Sequence, residues 1–201
     1  AQLTITVVKP NDITYGSIVP TFSVSYSEFV NGETEAVLTG TEVASTTYKQ
    51  GDIVGTYVVT STGATSANYE ITRVTSELVV TPRVITITWS NTTLTYNGKA
   101  QIPSATAQNI YNNDDIKLTV TGEKTNAGTY TATAAINNSN YVLNDTNTHS
   151  FTIKPYDITD NVSFADIASQ TYTGLAIKPS VSPTLSDSTL VFNSNDYEIT
   201  Y

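Results

Sequence analysis

The residues that could act as general bases or nucleophiles are few in this sequence. His149 is the only histidine, so a Ser-His-Asp triad would have to use it. It lies in the stretch NTHSFTI, just before an apolar strand, where a polar strand residue is the simpler interpretation. The chain has no cysteine, no phosphate-binding glycine loop and no His-Glu-x-x-His motif, which removes thiol nucleophiles and common nucleotide and zinc sites.

Paired carboxylates are the remaining route to catalysis. A glycosidase needs two carboxylates across a cleft, one of them with a raised pKa. Small β-modules rarely enclose such a cleft, so we predict that the chain is not an enzyme. The closest pairs are Asp114 with Asp115, Glu33 with Glu35, and Asp196 with Glu198.

Calcium is the alternative ligand for these oxygens, since it binds carboxylates, amides and carbonyls. The stretch NNDD at 112–115 could supply them, and so could Asn144, Asp145 and Asn147. Neither stretch has the Asp-x-Asp-x-Asp-Gly spacing of a calcium loop, and both compositions are typical of polar turns. We therefore expect no cofactor, with calcium as the alternative.

Aromatic rings could stack on sugars. Trp89 has the same parity as Ile85 and Ile87 in its strand, which places it on the buried face. Four tyrosines fall outside the repeated motifs described below and are the better candidates for contact with a ligand. They are Tyr26, Tyr48, Tyr111 and Tyr156.

The charge balance restricts the partners. The net charge is −9, with only 13% charged residues, so the chain lacks the basic surface that nucleic acids or anionic membranes attract. No apolar run reaches the ~20 residues of a membrane helix. The sequence contains no methionine, even at position 1, and we expect a segment of a longer secreted precursor.

Alternating strands recur along the chain. The stretch LTITVVKP at 3–10 has apolar residues at every second position, and similar strands occupy 84–91 and 161–167. Threonine, valine and tyrosine suit strands, while strong helix formers are scarce. Each strand is followed by a Tyr-Gly type turn and a proline. The three turns are Tyr15-Gly16 with Pro20, Tyr96-Asn97-Gly98 with Pro103, and Tyr172-Thr173-Gly174 with Pro179.

These repeats divide the chain into modules. An apolar strand followed by a proline ends the first two, at Pro82 and Pro155, so we predict modules at 1–82, 83–155 and 156–201. The junctions have no Gly/Ser-rich or Pro-rich spacer, which favours a semi-rigid array over flexibly linked domains.

Two tyrosine motifs recur in the first two modules. Gly-Thr-Tyr occurs at 55–57 and 128–130, and Asn-Tyr at 68–69 and 140–141. Glycine permits a positive φ, asparagine favours a turn, and the ring can enter a core. We interpret both motifs as parts of a hairpin that each module must build.

The same residues resemble a known family. Tyr15-Gly16-Ser17 with Pro20, NYEI at 68–71 and the closing LVVTP at 78–82 resemble the YGX-type MBG domain. The second module is similar through TYNG, NAGTYTATA and NYVL, and the third resembles small repeats of bacterial surface proteins. The resemblance implies long, secreted or wall-anchored, adhesin-like proteins, and it carries no catalytic residues.

We therefore expect a mainly β, linear array of small modules, with a β-grasp-like arrangement favoured over an Ig-like sandwich. One helical turn is expected near Asn31–Leu38. The predicted role is a non-catalytic stalk or spacer of an extracellular or bacterial cell-surface protein. The alternative is a module that binds a host glycan, mucin or protein directly.

The third module is shorter than the others. Counted as in the second module, its Gly-Thr-Tyr and closing strands would follow Tyr201. An incomplete module exposes a strand edge and an apolar face that includes Val162, Phe164 and Ile199. We therefore expect a homodimer formed by strand addition through residues 156–201.

Overall fold

Alternating burial explains the strands of the protein. In the computed structural model, which describes residues 1–144, 147–187, 189–190 and 198–200, the first strand buries Leu3, Ile5 and Val7 and turns the residues between them outward. Ile85 and Ile87 are buried in the same way in the first strand of the second module. The mainly β prediction is confirmed.

The described residues form the following strands, in chain order: β1 (Gln2–Val7), β2 (Ile13–Thr14), β3 (Val24–Ser27), β4 (Val43–Thr46), β5 (Gly55–Thr62), β6 (Glu70–Val74), β7 (Ser76–Thr81), β8 (Arg83–Ser90), β9 (Thr93–Thr95), β10 (Ser104–Gln108), β11 (Thr119–Thr121), β12 (Gly128–Ala135), β13 (Tyr141–Leu143), β14 (Thr148–Lys154), β15 (Val162–Phe164) and β16 (Pro183–Leu185).

The chain divides into two compact units. Unit 1 comprises Ala1–Thr86, Ala107–Lys117 and Ile136–Asn144. It contains the sheet β3-β1-β6, in which β1 runs antiparallel to β3 and parallel to β6, and the sheet β2-β7-β5-β4. Its first-module core consists of two clusters of buried side chains. These are Val7, Tyr48, Val59, Leu78 and Val80 in one cluster, and Leu3, Ile5, Ala64 and Tyr69 in the other.

Unit 2 comprises Ile87–Thr106, Leu118–Ala135 and Asp145–Tyr201. It contains the sheet β11-β12-β14-β9, whose buried side chains are Ala132, Phe151 and Ile153. The partly buried Trp89 ring packs on this cluster, as its strand parity predicts. The sheet β10-β8-β13 is built on β8, whose residues are divided between the two units.

The first fourteen strands repeat one topology. The sheets β3-β1-β6 and β2-β7-β5-β4 correspond strand for strand to β10-β8-β13 and β9-β14-β12-β11, seven positions later in the order. Parallel pairs recur at the same places, β1 with β6 and β8 with β13. The internal repeat is therefore structural. The module limits, and the choice of a β-grasp-like topology, stay predictions.

The third predicted module repeats the beginning of this topology. Strands β15 and β16 pair antiparallel, with Val162 opposite Leu185, as β1 pairs with β3. Whereas β1 and β8 each have a strand on both sides, β15 pairs only with β16 within the described part of the chain. Phe164 is 62% exposed.

Helix is confined to one turn within the residues that the structure describes. A 3-10 helix spans Glu35–Val37, inside the predicted interval Asn31–Leu38, and begins where the Thr34 hydroxyl accepts a hydrogen bond from the Ala36 N–H. No helix in the described ranges is long and apolar enough to cross a membrane.

A charged pair lies at the edge of the first-module core. The Glu42 side chain is fully buried, and its carboxylate accepts bonds from Arg73 Nε at 2.7 Å, Arg73 Nη2 at 3.0 Å and the Ala64 N–H at 2.8 Å. The Arg73 guanidinium lowers the pKa of Glu42 below its ordinary value. A buried carboxylate without such partners would be strongly unfavourable.

We predict that Arg73→Ala destabilises the protein by about 3 kcal/mol, because it leaves the Glu42 carboxylate buried and unpaired. Urea denaturation measures the loss. Since the pKa of Glu42 is lowered by folding, its contribution is present above the unfolded pKa and disappears as pH falls through the folded pKa. The control is Glu70→Ala, an exposed carboxylate bonded to Gln2, which we expect to change stability by less than about 0.5 kcal/mol. Equal losses in the two variants would contradict the assignment.

Candidate functional site

Four side chains from distant parts of the sequence meet inside unit 1. Tyr15 follows β2, Tyr111 and Asp114 lie in the loop after β10, and Tyr141 begins β13. The Asp114 Oδ2 atom accepts a 2.7 Å hydrogen bond from the Tyr15 hydroxyl and a second 2.7 Å bond from the Tyr141 hydroxyl. We call these four residues the tyrosine joint, because Tyr15 belongs to the first predicted module and the others to the second.

The rings of the joint pack edge to face. Tyr15 lies 5.5 Å from Tyr111 and 5.3 Å from Tyr141 between ring centroids, with interplanar angles of 77° and 75°. Tyr15 and Tyr141 are 6% and 5% exposed. Such pairs contribute beyond their buried area, since the positive ring edge meets the negative ring face. The joint is therefore a small aromatic core that contains one carboxylate.

Glycine at position 16 allows the Tyr111 ring to approach the backbone. Gly16 has φ of +82°, and a Cβ atom there would lie only 2.5 Å from Tyr111 Cδ2. A side chain at this position would both strain the backbone and displace the ring. The Tyr-Gly pair of the first module thus provides a hydroxyl for Asp114 and a gap for Tyr111.

Backbone groups around the joint are also paired across the predicted module boundary. The Val54 N–H donates to Asn140 Oδ1 at 3.0 Å. The Arg83 guanidinium donates to the Tyr15 carbonyl at 3.3 Å and, through Nε, to the Asn109 carbonyl at 2.9 Å. These bonds connect the loops of the first module to β8, β13 and the loop after β10.

A tight turn positions Asp114. The Asp114 N–H donates to the Tyr111 carbonyl at 3.0 Å, and both central residues, Asn112 and Asn113, have positive φ of 49° and 58°. Positive φ at both positions is typical of a type I′ turn, for which asparagine is favoured. The Tyr111 N–H donates to the Tyr141 hydroxyl at 3.1 Å, so that hydroxyl is both donor and acceptor.

The first module contains a turn of the same kind, bonded to a tyrosine in the same way. The turn from Val30 to Glu33 has an N–H to carbonyl bond of 3.0 Å and positive φ at Asn31 and Gly32. The Tyr69 hydroxyl accepts from the Val30 N–H at 3.1 Å and donates to Glu33 Oε2 at 2.5 Å. The Asn-Tyr motif therefore recurs because its tyrosine binds a carboxylate turn, which we define as Val30–Glu33 in the first module and Tyr111–Asp114 in the second.

The Gly-Thr-Tyr motif has a separate role. The Tyr57 hydroxyl donates to the Ile53 carbonyl at 2.7 Å, and the Tyr130 hydroxyl to the Asn126 carbonyl at 3.0 Å. Each tyrosine thus folds back by four residues and holds the loop that precedes its strand. The prediction that the two motifs build one hairpin is wrong, because β5, which begins at Gly-Thr-Tyr, and β6, which follows Asn-Tyr, belong to different sheets, as do β12 and β13.

Burial raises the pKa of Tyr15 to about 12, and the hydrogen bond to Asp114 acts in the same direction. The same two causes raise the pKa of Tyr141 to about 12. Both hydroxyls therefore keep their protons at neutral pH and act as donors. Because an efficient general base or acid has a pKa near the working pH, this arrangement favours positioning over proton transfer.

The four predicted ligand tyrosines lie in different environments. Tyr48 is a correction, because it is 2% exposed in the first core cluster, where its hydroxyl donates to the Ser17 carbonyl at 2.7 Å. Tyr111 is half-buried in the joint, and Tyr26 is half-buried beside Phe29. Tyr156 is also half-buried. The structure does not bring the four rings to one site. Tyr15 and Tyr141 were not among these candidates because both belong to the repeated motifs.

The acidic residues and the histidine that the sequence offered as catalytic or calcium-binding candidates do not form one site among the described residues. Asp114 serves the joint and Asp115 Oδ1 accepts from the Lys117 N–H, which explains the NNDD stretch as a turn. Asp145 and Asp196 lie outside the described residues. No cluster of three acidic or histidine side chains suited to a metal occurs in the part of the chain that the structure describes. The His149 and Trp89 rings stack within unit 2, with their centroids 5.5 Å apart.

An open concavity of about 510 Å³ lies on the outer face of β4 and β5. Its lining is rich in hydroxyl groups and includes one tyrosine ring. The lining residues are Ser45, Thr46, Thr47, Thr56, Tyr57, Val58 and Thr60.

We predict that Asp114→Ala destabilises the protein by about 2 kcal/mol, because two buried tyrosine hydroxyls lose their acceptor. Asp115→Ala is the matched control, since that carboxylate is exposed, and its effect should be below about 0.5 kcal/mol. Chemical denaturation of both variants measures the difference. The joint is not stabilising if the two variants unfold alike.

We also predict a loss of stability at alkaline pH. Folding raises the pKa of Tyr15 and Tyr141 from 10.0 to about 12, so their contribution is complete below pH 10 and disappears as pH rises toward 12. Tyr15→Phe should therefore lower stability at neutral pH and flatten its decline in this window. Tyr172→Phe, which alters an 83% exposed ring, is the control and should leave the decline unchanged.

Comparison with known proteins supports the family resemblance of the first module. No curated protein matches the chain. Residues 3–79 match the family described as MBG domain (YGX type), and this stretch includes the Tyr15-Gly16 turn, the first carboxylate turn and Tyr69. The family that these residues resemble is thereby confirmed over residues 3–79: this part of the chain matches the MBG domain of the YGX type.

Proposed function

We propose that the chain is a non-catalytic repeat segment of a bacterial cell-surface or secreted protein, in which its modules act as a stalk or spacer for adhesion. MBG domains occur in extracellular proteins and suggest a repeat module of surface proteins. The observation that carries the proposal is the tyrosine joint. Its hydrogen bonds connect residues of successive predicted modules within unit 1.

A spacer must resist bending at its junctions, and the joint provides this in three ways. Buried hydroxyl-to-carboxylate bonds are short and directional. The aromatic rings exclude water from them. Arg83, the first residue after Pro82, is bonded to both sides. Loss of any one of these should increase motion between Tyr15 and the loop after β10.

We predict that Asp114→Ala broadens the distance distribution between spin labels at Thr62→Cys and Val142→Cys, which are exposed positions of unit 1. The chain has no native cysteine, so the labels attach only there. Double electron–electron resonance measures the distribution. Asp115→Ala should leave it narrow, and an equally narrow distribution in Asp114→Ala would contradict the spacer role of the joint.

The alternative function is direct binding of a glycan, mucin or protein. The concavity on β4 and β5 favours it, since its lining combines many hydroxyl groups, which can hydrogen-bond to a ligand, with the aromatic side chain of Tyr57. A glycan array and a mucin-binding assay on the whole chain test this. Saturable binding that Thr47→Lys abolishes would establish the binding module, and hydrolysis of a polysaccharide that Asp114→Ala or Asp115→Ala abolishes would show an enzyme.

We further propose that residues 156–201 pair with a second chain by strand addition. The support is the side of β15 on which no strand pairs among the residues that the structure describes, a side that in β1 and β8 carries a parallel strand. Exposed apolar side chains at Phe164, Ile167 and Leu175 surround this part of the chain. Sedimentation velocity over a range of concentrations should show a dimer, and a monomer at every concentration would exclude it.

A further inference from the structure

The first module carries a surface whose counterpart in the second module is covered. We call Val30, Glu33, Asn68 and Tyr69 the leading surface of the first module. By strand order and turn position they correspond to Tyr111, Asp114, Asn140 and Tyr141. The backbone agrees, because the Ala1 amino group donates to the Asn68 carbonyl just as the Arg83 N–H donates to the Asn140 carbonyl.

In the second module, these positions receive the end of the first module. Asp114 accepts the Tyr15 hydroxyl, Asn140 accepts the Val54 N–H, and Tyr111 covers Gly16. We call the contributing segments, the Tyr-Gly turn and the loop before β5, the trailing end of a module.

Two residues of the leading surface, Val30 and Asn68, are open to such a partner, whereas the Tyr69 ring is 6% exposed and packs on Phe29. Val30 is 45% exposed, and Asn68 is exposed. The Glu33 carboxylate accepts one side-chain donor among the described residues, the Tyr69 hydroxyl, whereas Asp114 accepts two. A carboxylate has about four acceptor sites, so Glu33 has room for a second hydroxyl.

The contact between a Tyr-Gly turn and the next module occurs twice in the chain. Within unit 2, a Cβ atom added at Gly98, in the Tyr-Asn-Gly turn of the second module, would lie 3.3 Å from Leu190 Cδ2. Leu190 lies in the loop after β16, as Tyr111 lies in the loop after β10, and it is 7% exposed. In both places the turn glycine therefore approaches a side chain from a loop of the next predicted module.

We propose that the leading surface of the first module is a docking surface for the trailing end of another module of this kind. The tyrosine hydroxyl of the incoming Tyr-Gly turn donates to Glu33, the N–H of its loop donates to the Asn68 amide, and its glycine faces Val30. The inference rests on the proposed spacer function only in treating the joint as a repeated unit.

One difference sets the strength of this contact. Arg83 donates to the Tyr15 carbonyl in the joint, whereas the corresponding residue of the first module is Ala1, which has no side-chain donor. Docking on the leading surface should therefore be weaker than the joint. Ala1→Arg should strengthen it.

The test extends the full chain with a copy of residues 1–82 placed directly before Ala1. Hydrogen exchange of the Val30 amide, which bonds to the Tyr69 hydroxyl, is compared in the extended and original chains. We expect exchange to be at least about tenfold slower in the extended chain, as a net gain of one charge-assisted hydrogen bond would produce. Ala1→Arg should slow it further.

Matched variants of the first module of the original chain test whether Glu33 causes the slower exchange of the Val30 amide. Glu33→Ala should remove the difference between the two chains, whereas Glu35→Ala, its exposed neighbour, should preserve it. A second extended chain carries a copy of residues 1–155 before Ala1, so that the trailing end of the second module meets the leading surface. This chain provides the test if the copy of residues 1–82 does not fold. Equal Val30 exchange in the original chain and in a folded extension overturns the proposal. That outcome is independent of the spin-label test, which measures only the joint.

Discussion

The structure of unit 1 depends on one carboxylate oxygen that two buried tyrosine hydroxyls share. Asp114 Oδ2 lies 2.7 Å from the hydroxyls of both Tyr15 and Tyr141, although Tyr15 is 99 residues and Tyr141 is 27 residues away from Asp114 in the sequence. Asp114 is half-buried, and these two donors compensate for the hydration that its carboxylate loses. The burial of the rings and the charge of Asp114 thus require each other, and this requirement holds the predicted junction together.

The carboxylate turn is what makes this constraint repeatable. Each turn has two residues with positive φ, which directs the following carboxylate toward the tyrosine of the Asn-Tyr motif. In the first predicted module both partners, Glu33 and Tyr69, come from the same module, so this bond forms without a neighbour. The second acceptor site of the carboxylate then becomes available for a tyrosine of an adjoining module. In the joint, Asp114 accepts one tyrosine hydroxyl from its own predicted module and a second from the preceding one, so one carboxylate connects the two.

The placement of acidic residues also explains why the sequence has few candidates for catalysis. Glu33, Glu42 and Asp114 are all bonded to tyrosine or arginine side chains within unit 1. Their carboxylates accept bonds from fixed donors, and at Glu42 the Arg73 guanidinium lowers the pKa, which is opposite to the raised carboxyl pKa that a general acid requires. The acidic composition of the chain is thus used partly in packing and partly on the surface.

Local patterns determined the strands, because alternation of apolar and polar residues fixes which face of a strand is buried. Local patterns also predicted the repeat, the helical turn near Asn31–Leu38 and the packing of Trp89 on a core cluster. The burial of Tyr48 and the partners of Tyr15 could not, because both depend on which distant loops meet. NNDD reads as a polar turn in sequence. Only the tertiary structure decided that Asp114 accepts two tyrosines while Asp115 faces solvent, since that choice is set by side-chain direction after the turn is placed against β2 and β13.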